Sequence, residues 1–276
     1  MRIQEEIITS RNNPKVKWAA SLSSKKGRDA ERAFIAEGEK LTLEALRAHL
    51  PVTNIFITES KKRNLIEKLS GYISDGFYEN TEITVLSDSA FLKISTEKAP
   101  QGIISVIKYL DFFRDIGIIY KEEFSLEADE RIIILSSVRD PGNIGAVIRS
   151  AVAFGVDHIF ITADSADIYN PKTVRSAMGS LFRVKITVVG DVISLINALK
   201  SIGRRVFAAE LKDGALSLGE VGLLPTDSVI IGNEGHGISP EISSVCSGSV
   251  YIPISKKTES LNASVAAAVF MWEQSK

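Results

Sequence analysis

The sequence predicts an α/β protein with two domains, a small mixed α/β domain followed by a larger domain built on a parallel sheet. The chain has 276 residues, 45% of them hydrophobic and 24% charged, a composition typical of globular proteins and a length that allows two cores. The front of the chain mixes helical and strand-like segments irregularly. From residue 131 onward, apolar β-branched strands alternate with helices, which is the pattern of a parallel sheet covered on both faces.

The first predicted domain spans residues 1–110. A helix is expected at 39–49, where Leu41, Ala45 and Leu46 fall near one face, and a strand at 54–58. A helix containing Lys61 and an apolar run at 101–107 complete the pattern. Residues 111–130 carry aromatic and acidic side chains without a clear period, and we interpret them as a linker.

The second predicted domain spans residues 131–276 and contains six strands and five helices. The strands are expected at 132–136, 158–162, 184–189, 205–210, 228–231 and 250–254. The helices are expected at 143–154, 172–181, 192–201, 240–247 and 261–272. Ligands of parallel sheets bind beyond the carboxyl ends of the strands, so the loops after these strands are the expected position of the chemistry.

Composition excludes several functional classes. The single Cys246 cannot form an intramolecular disulfide, and three histidines without paired cysteines offer no zinc-ligand spacing, so we expect a cytoplasmic protein without a metal. Glu5 and Glu6 lie where a signal peptide needs an apolar core, and the most apolar long stretch, 263–272, is about half a membrane span. Neither export nor a membrane location is expected.

Net charge argues against a global attraction to nucleic acid, because 33 basic and 34 acidic residues leave a formal charge of −1. A local basic segment at 11–32 is the exception, since its seven cations face only Asp29 and Glu31. A surface of this kind can follow a phosphate backbone. The seven candidate RNA-binding residues are Arg11, Lys15, Lys17, Lys25, Lys26, Arg28 and Arg32.

The first chemically suggestive loop, 139–145, leaves the first strand of the second domain and opens a helix. Ile144, Val147, Ile148 and Ala151 form the inward stripe of that helix, and Arg149 lies off it. Its guanidinium suits a phosphate or carboxylate, although the spacing alone favours a solvated arginine on the outer face of the helix. Asn143 is a candidate site residue that helix N-capping would also explain.

The second loop, 231–239, contains three glycines that do not follow the dinucleotide-binding fingerprint, so nicotinamide or flavin binding is disfavoured. A close backbone approach is still implied. Glu234 is either a structural acceptor for neighbouring amides or the partner of a catalytic cation. The third loop, 251–264, gathers Ser260, Asn262 and Ser264 at a helix start, more polar groups than capping alone explains.

Three ordered motifs resemble those of the SpoU (TrmH-like) RNA ribose 2′-O-methyltransferases of the SPOUT superfamily. They are 143–149 (NIGAVIR), 232–237 (GNEGHG), and Ile252-Pro253 followed by 260–262 (SLN). The front half looks like the ribosomal-protein-like RNA-binding domain of many members, through Asn13-Pro14, 34–38 (FIAEG) and 100–102 (PQG).

This resemblance implies a parallel sheet whose C-terminal chain forms a deep trefoil knot, an exception to the rule against threading. It implies a homodimer and S-adenosylmethionine as cofactor, held largely by backbone groups of Gly232, Ile252 and Leu261, with Asn262 beside them. Arg149 corresponds to the family's essential arginine. Because arginine stays protonated at neutral pH, we expect it to hold a phosphate and position the ribose hydroxyl rather than act as a base.

The same resemblance places Asn143, Ser260 and Asn262 around ribose and cofactor, with Glu234 orienting Arg149 or the second loop. The implied activity is 2′-O-methylation of a ribose in structured RNA, with 23S ribosomal RNA expected and transfer RNA as an alternative. A non-catalytic RNA-binding or ribosome-assembly protein is a further alternative. One departure is visible, because Ser255, Lys256 and Lys257 stand where the family usually has glycine.

Overall fold

The computed structural model describes residues 1–4, 6–73, 75–110, 113–116 and 130–276. Packing groups the chain into two units, one made of Met1–Leu110 with Asp167–Phe182, and one made of Asp111–Ala166 with Arg183–Lys276. Most of the predicted linker, 111–130, lies outside the described residues. Within it, Phe113–Ile116 forms a strand that pairs in parallel with Lys185–Val189.

The first unit contains a mixed sheet. Its strands are β1 (Arg2–Ile3), β2 (Ala33–Glu37), β3 (Val52–Thr58), β4 (Glu82–Leu86) and β5 (Ile103–Lys108). Its helices are α1 (Pro14–Ser21), α2 (Lys25–Glu31), α3 (Glu39–Arg47), α4 (Lys62–Ile73) and α5 (Asp88–Phe91), together with α7 (Pro171–Ala177). The strand order in the described residues is β1-β4-β3-β5-β2, in which β5 runs antiparallel to β2 and β3. The predicted mixed α/β organisation of the front half is confirmed.

The segment Asp167–Phe182 packs in the first unit although it follows the second unit's early strands in sequence. Its Tyr169 ring stacks on Tyr109 with centroids 4.1 Å apart, and the Tyr169 hydroxyl accepts a hydrogen bond of 2.9 Å from the backbone N–H of Leu110. Asp167 forms an ion pair with Arg28. These contacts join residues more than 50 positions apart, which is why periodicity alone cannot reveal them.

The second unit is built on a parallel sheet. Its strands are β6 (Phe113–Ile116), β7 (Ile132–Leu135), β8 (His158–Thr162), β9 (Lys185–Val189), β10 (Val206–Ala209), β11 (Leu216–Ser217), β12 (Ser228–Ile231) and β13 (Gly248–Tyr251). Its helices are α6 (Pro141–Ala153), α8 (Val192–Ser201), α9 (Leu218–Val221), α10 (Pro240–Val245) and α11 (Ala263–Gln274). The described strands follow the order β11-β13-β10-β12-β7-β8-β9-β6, and each neighbouring pair is parallel.

Helix α6 shows how the sequence builds the core of this unit. The predicted stripe of Ile144, Val147, Ile148 and Ala151 is fully buried, while Arg149 is exposed, as expected from its position off the stripe. Burying each large apolar side chain contributes about 1.5 to 3 kcal/mol. The helix begins at Pro141 because proline needs no hydrogen-bond acceptor in the first turn.

Two predicted boundaries near the third loop are wrong by a few residues. The last strand ends at Tyr251 rather than residue 254, because Pro253 has no N–H with which to continue a ladder. The last helix begins at Ala263 rather than Leu261, because Asn262 caps it. Ile252 and Leu261 therefore lie on loops, with their backbone groups outside regular structure. No helix in the described residues is long and apolar enough to span a bilayer.

Candidate active site

A cavity of about 730 Å³ opens at the carboxyl ends of β10, β12 and β13. This is the edge where ligands of parallel sheets bind, and the volume is that of a small-molecule site. Five of the predicted site residues line it, and four of these are Gly232 and Glu234 from the second loop and Ile252 and Leu261 from the third. Ser260 also lines the cavity, whereas Asn143, Arg149 and Asn262 do not.

Side-chain hydrogen bonds connect the three motif loops. Asn143 Nδ2 donates to Glu234 Oε1 over 2.8 Å, and Asn143 Oδ1 accepts from Asn262 Nδ2 over 3.0 Å. Asn143 therefore lies at the centre of the network and joins positions 91 and 119 residues away. We call these three residues the loop-joining network. It brings together three of the five predicted catalytic residues.

Helix capping accounts for the positions of Asp140 and Asn262, but not for that of Asn143. The N-cap of α6 is Asp140, whose side chain accepts from the backbone N–H of Asn143 over 3.0 Å, so the Asn143 amide remains available to the other loops. Asn262 caps α11 by accepting from the backbone N–H and hydroxyl of Ser264. The Ser260 side chain forms no hydrogen bond with the described residues, and it is exposed at the cavity.

The close backbone approach implied by the glycines of the second loop is made within the chain. A Cβ on Gly232 would lie 2.5 Å from the carbonyl group of Gly237, and the backbones of Asn233 and Gly237 exchange two hydrogen bonds of 2.9 Å. Asn233 Nδ2 also donates to the carbonyl oxygen of Ser137 over 2.8 Å. The loop is thus closed on itself and attached to the end of β7.

Glu234 is an ionised acceptor in this arrangement. Partial burial opposes ionisation of its carboxyl, but hydrogen bonds from Asn143 and from backbone N–H groups, including that of Arg139, outweigh this cost and lower the pKa. Glu234 thus accepts from the first loop, and no hydrogen bond joins it to Arg149 in the described residues, an arrangement that favours the structural acceptor while its role stays a prediction.

Arg149 is exposed and has no hydrogen-bond or ion-pair partner among the described residues. It lies six residues after Asn143 on α6, which corresponds to about 9 Å along the helix axis. The fold therefore leaves its guanidinium open to a ligand from outside the chain, without placing it against the loop-joining network.

The basic segment 11–32 folds into α1 and α2, and its seven cations differ in exposure. Arg11, Lys17, Lys25, Lys26 and Arg32 are exposed, and Lys15 is half-buried in an ion pair with Glu82. Arg28 is 1% exposed. Its guanidinium donates to the carbonyl oxygens of Leu22 and Ser23 and pairs with Asp167. A side chain so enclosed cannot reach RNA, and the prediction of Arg28 as an RNA-binding residue is wrong for this reason.

Sequence reasoning missed three residues at this site. Asp140 sets the start of α6, Asn233 holds the second loop, and Glu210 lines the cavity at the end of β10. An asparagine in a glycine-rich turn commonly accepts from the backbone N–H two residues on, as Asn233 does from Gly235, and this signal could have identified Asn233. The rule that strand ends line ligand sites could have identified Glu210. Among the described residues, no group of three or more histidine, cysteine, aspartate or glutamate side chains is placed to hold a metal ion.

Comparison with known families decides the identity of the chain. Residues 130–272 match the SpoU rRNA Methylase family, and residues 13–105 match the MRM3-like substrate binding domain. The chain belongs to the SpoU rRNA methylase family. The resemblance that the three motifs carry is confirmed, and the matched region contains all of the loops that surround the cavity.

Relatives of this SpoU methylase match nearly its whole length. It is 30% identical to the 23S rRNA (guanosine(2553)-2′-O)-methyltransferase RlmP of Bacillus subtilis (strain 168), over 96% of this chain and 97% of that protein. It is 25% identical to the 23S rRNA (uridine(2479)-2′-O)-methyltransferase of Streptomyces viridochromogenes, over 96% of this chain and 90% of that protein. The two relatives are named for different nucleotides of one RNA.

Solved structures show the same fold. An AdoMet-bound rRNA methyltransferase from Sinorhizobium meliloti superposes with a TM-score of 0.80, at 24% sequence identity, over 99% of this chain and 97% of that chain. The predicted α/β class with a parallel sheet is thus confirmed by the strand pairing and by this likeness.

Proposed function

We propose that this SpoU methylase transfers the methyl group of S-adenosylmethionine to the 2′-oxygen of a ribose in 23S ribosomal RNA. The observation that carries the proposal is the loop-joining network, in which Asn143, Glu234 and Asn262 hold the three family motifs together beside a cavity of about 730 Å³. Family membership supplies the reaction class, and the relatives' 23S targets supply the substrate.

The cavity fits S-adenosylmethionine. Its lining combines the loop residues Gly232, Ile252 and Leu261 with the apolar residues Ala266 and Phe270, which suits an adenosine with both a polar edge and flat faces. Asn262 lies next to this wall and belongs to the loop-joining network. When bound, the sulfonium supplies a methyl group that is already activated for attack by an oxygen nucleophile.

The chain's own contribution is alignment. Arg149, exposed and free of partners among the described residues, holds a substrate phosphate bidentately and places the neighbouring ribose hydroxyl. Ser260 contributes a hydroxyl at the cavity, and Asn143, through Glu234 and Asn262, keeps the loops in register. Holding reactants in a productive geometry can account for much of a rate enhancement without a general base.

The first unit supplies RNA affinity in this proposal. Five exposed cations, Arg11, Lys17, Lys25, Lys26 and Arg32, lie in or beside α1 and α2, and Lys15 lies on α1. Charge of this kind fixes a phosphate backbone without reading sequence, so it contributes affinity more than site choice. The match of residues 13–105 to a substrate-binding domain supports this role.

The proposal is tested by incubating the purified chain with labelled S-adenosylmethionine and unmodified RNA. The RNA pools are 23S ribosomal RNA, intact large ribosomal subunits and transfer RNA, and nucleoside mass spectrometry identifies the product. We expect label in one 2′-O-methylnucleoside of the ribosomal pools. Label in transfer RNA alone would contradict 23S ribosomal RNA as the substrate. Label in a base would contradict methylation of the ribose.

Arg149→Ala is the matched variant for this experiment. We expect methyl transfer to fall at least about a hundredfold, because a misplaced reactant costs that much, while affinity for S-adenosylhomocysteine stays within about twofold. Arg183→Ala, at a position outside the motif loops, controls for the loss of a positive charge. The non-catalytic alternative would be favoured if the wild-type chain binds RNA, does not bind the cofactor and forms no methylated product.

A homodimer and a cytoplasmic location belong to the same proposal. Helix α11 packs on α6 and leaves Val265 and Trp272 about half exposed, and the Trp272 ring lies 6.0 Å from that of Phe154. Exposed aromatic surface of this kind suits a second copy of the chain. Light scattering of the purified protein should give twice the mass of 30.1 kDa, and Trp272→Asp should lower it toward the monomer.

The trefoil knot is also proposed. Its support is the strand order, in which β13, late in the chain, lies between β10 and β11 rather than at an edge. In a knotted chain, the C-terminal segment passes through another connection to reach such an internal position, and the strand order fits this arrangement. An experimental chain trace from residue 205 to 276 would test it, and a trace that untangles when its ends are pulled would overturn it.

A further inference from the structure

Glu210 is the acidic residue that follows β10 and lines the cavity. Its backbone N–H donates to the carbonyl oxygen of Val250 over 3.0 Å, which continues the pairing of β10 with β13. Its side chain is 19% exposed. No family motif contains it, and the proposed function described above gives it no role.

The two oxygens of the Glu210 carboxylate are used differently. Oε1 accepts from Ser249 Oγ over 2.7 Å and from Lys212 Nζ over 2.8 Å, and it also accepts from Ser243 Oγ. Oε2 has no partner among the described residues. Burial opposes ionisation of this carboxyl, but the three donors outweigh it and lower its pKa, so the group is a carboxylate at neutral pH.

A carboxylate with one occupied and one open oxygen is a fixed acceptor. Ser243 is on α10 and Ser249 is on β13, and both are nearly buried, so the side chain cannot turn freely. A ligand in the cavity that offers a hydrogen-bond donor to Oε2 meets a charged acceptor without any need for reorganisation. Such bonds are shorter and about twice as strong as those between neutral groups.

Lys212 restricts which donor can bind. Its ammonium lies 2.8 Å from Oε1, so a positively charged ligand group at Oε2 would be repelled by a neighbouring cation. This disfavours the ammonium and sulfonium of S-adenosylmethionine and leaves its neutral donors, the ribose hydroxyls and the adenine amine. Ile252 and Leu261, which lie on loops and also line the cavity, are the residues that the proposed function assigns to the cofactor's adenine.

We propose that Glu210 is a cofactor-binding residue whose Oε2 accepts a hydrogen bond from a ribose hydroxyl of the adenosine. The inference rests on the proposed function, since it presumes that the cavity takes S-adenosylmethionine. Acidic residues at strand ends bind ribose hydroxyls in the same way in dinucleotide-binding folds. Glu210 would thereby contribute to the choice of an adenosine ligand over a deoxyadenosine one.

The test measures binding of S-adenosylhomocysteine and its 2′-deoxy and 3′-deoxy analogues by titration calorimetry, with wild type and Glu210→Gln. The amide of the variant retains one oxygen for the three donors and puts an N–H where Oε2 was. Wild type should lose about ten- to hundredfold in affinity on removal of one of the two hydroxyls. Glu210→Gln should bind S-adenosylhomocysteine more weakly than wild type by a similar factor. Its affinities for S-adenosylhomocysteine and for the deoxy analogue that wild type binds weakly should differ by less than about twofold.

Glu259→Gln is the matched control, because Glu259 also lines the cavity and its loss removes the same charge. It should leave the discrimination between parent and deoxy ligands as in wild type. Thermal unfolding of both variants checks that the fold persists, and Glu210→Asp, which keeps the charge and shortens the reach, should discriminate at an intermediate level.

The outcomes separate this inference from the proposed function. Wild type that binds no S-adenosylhomocysteine would overturn both. Wild type that binds it, with a Glu210→Gln variant that keeps full discrimination or loses affinity equally for all three ligands, would overturn the ribose contact alone. A variant that instead loses discrimination against an N6-methyl analogue would also overturn it and would assign the adenine amine.

Discussion

Two regions of this SpoU methylase use polar side chains in opposite ways. In the basic segment 11–32, neighbouring charges in the sequence have different roles, because Lys25 and Lys26 are exposed while Arg28 is enclosed by carbonyl oxygens and Asp167. In the motif loops, residues far apart in sequence share one role, since Asn143, Glu234 and Asn262 bond to each other. A run of charged residues in the sequence therefore predicts poorly which side chains are exposed, whereas the ordered motifs predict well which residues form the site.

The largest effect is expected at the centre of the loop-joining network. Asn143→Ala removes both hydrogen bonds between loops, and we expect methyl transfer to fall about a hundredfold because the reacting groups are no longer aligned. Single-turnover rates with saturating RNA provide the measurement. Ser264→Ala, which leaves both of these bonds in place, is the control, and equal rates in both variants would show that the network has no role in alignment.

Arg28→Ala should act on stability instead of chemistry. Removing one partner of a buried ion pair leaves Asp167 uncompensated and should lower the free energy of unfolding by about 3 kcal/mol. Denaturant titration of the whole chain measures this effect. RNA affinity per folded molecule should not change. If Arg28→Ala is as stable as wild type but binds RNA more weakly, Arg28 contributes to RNA binding after all.

The combined variant Lys17→Ala, Lys25→Ala, Lys26→Ala should show the reverse behaviour. These exposed side chains form no ion pair with the described residues, so their loss should leave stability nearly unchanged. RNA affinity should fall, and the slope of log affinity against log salt concentration should decrease by about 2 to 3. Filter binding at several salt concentrations provides the measurement, and an unchanged slope would show that RNA contacts another surface.

A smaller effect is expected at the third loop. Lys256 lines the cavity where the family usually has glycine, and Lys256 and Lys257 are both exposed. Lys256→Ala, Lys257→Ala should weaken RNA binding by less than the combined variant of the basic segment and leave affinity for S-adenosylhomocysteine unchanged. A loss of cofactor affinity would instead assign these lysines to the cofactor pocket.

The smallest effect is the pH dependence of Glu234. Its pKa lies below the ordinary value of 4.5, so the contribution of its charged form is fully present above pH 4.5 and is lost as the pH falls through the lowered value. The free energy of unfolding of wild type, measured by denaturant titration, should therefore decline as the pH falls below 4.5. Glu234→Gln should be less stable at neutral pH and should not show this part of the decline. Parallel curves for the two proteins would contradict the assignment.

The sequence by itself determined the α/β class, six of the eight described strands of the parallel sheet and the inward stripe of α6, because hydrophobic periodicity reflects which face of each element is buried. It also located the loops of the site, because the glycines and polar residues of their motifs can be recognised within short stretches of sequence. Helix and strand ends were less accurate at Pro253 and Asn262, where a missing N–H and a cap decide the boundary.

Only the tertiary structure decided which side chains meet. That Asn143 bonds Glu234 and Asn262 depends on loops 91 and 119 residues away. That Arg28 is buried depends on Asp167, 139 residues away, and that Glu210 presents one open oxygen depends on Ser243 and Ser249. Periodicity reports burial within one element, whereas hydrogen-bond partners are set by how distant elements pack, and the sequence pattern alone does not contain that information.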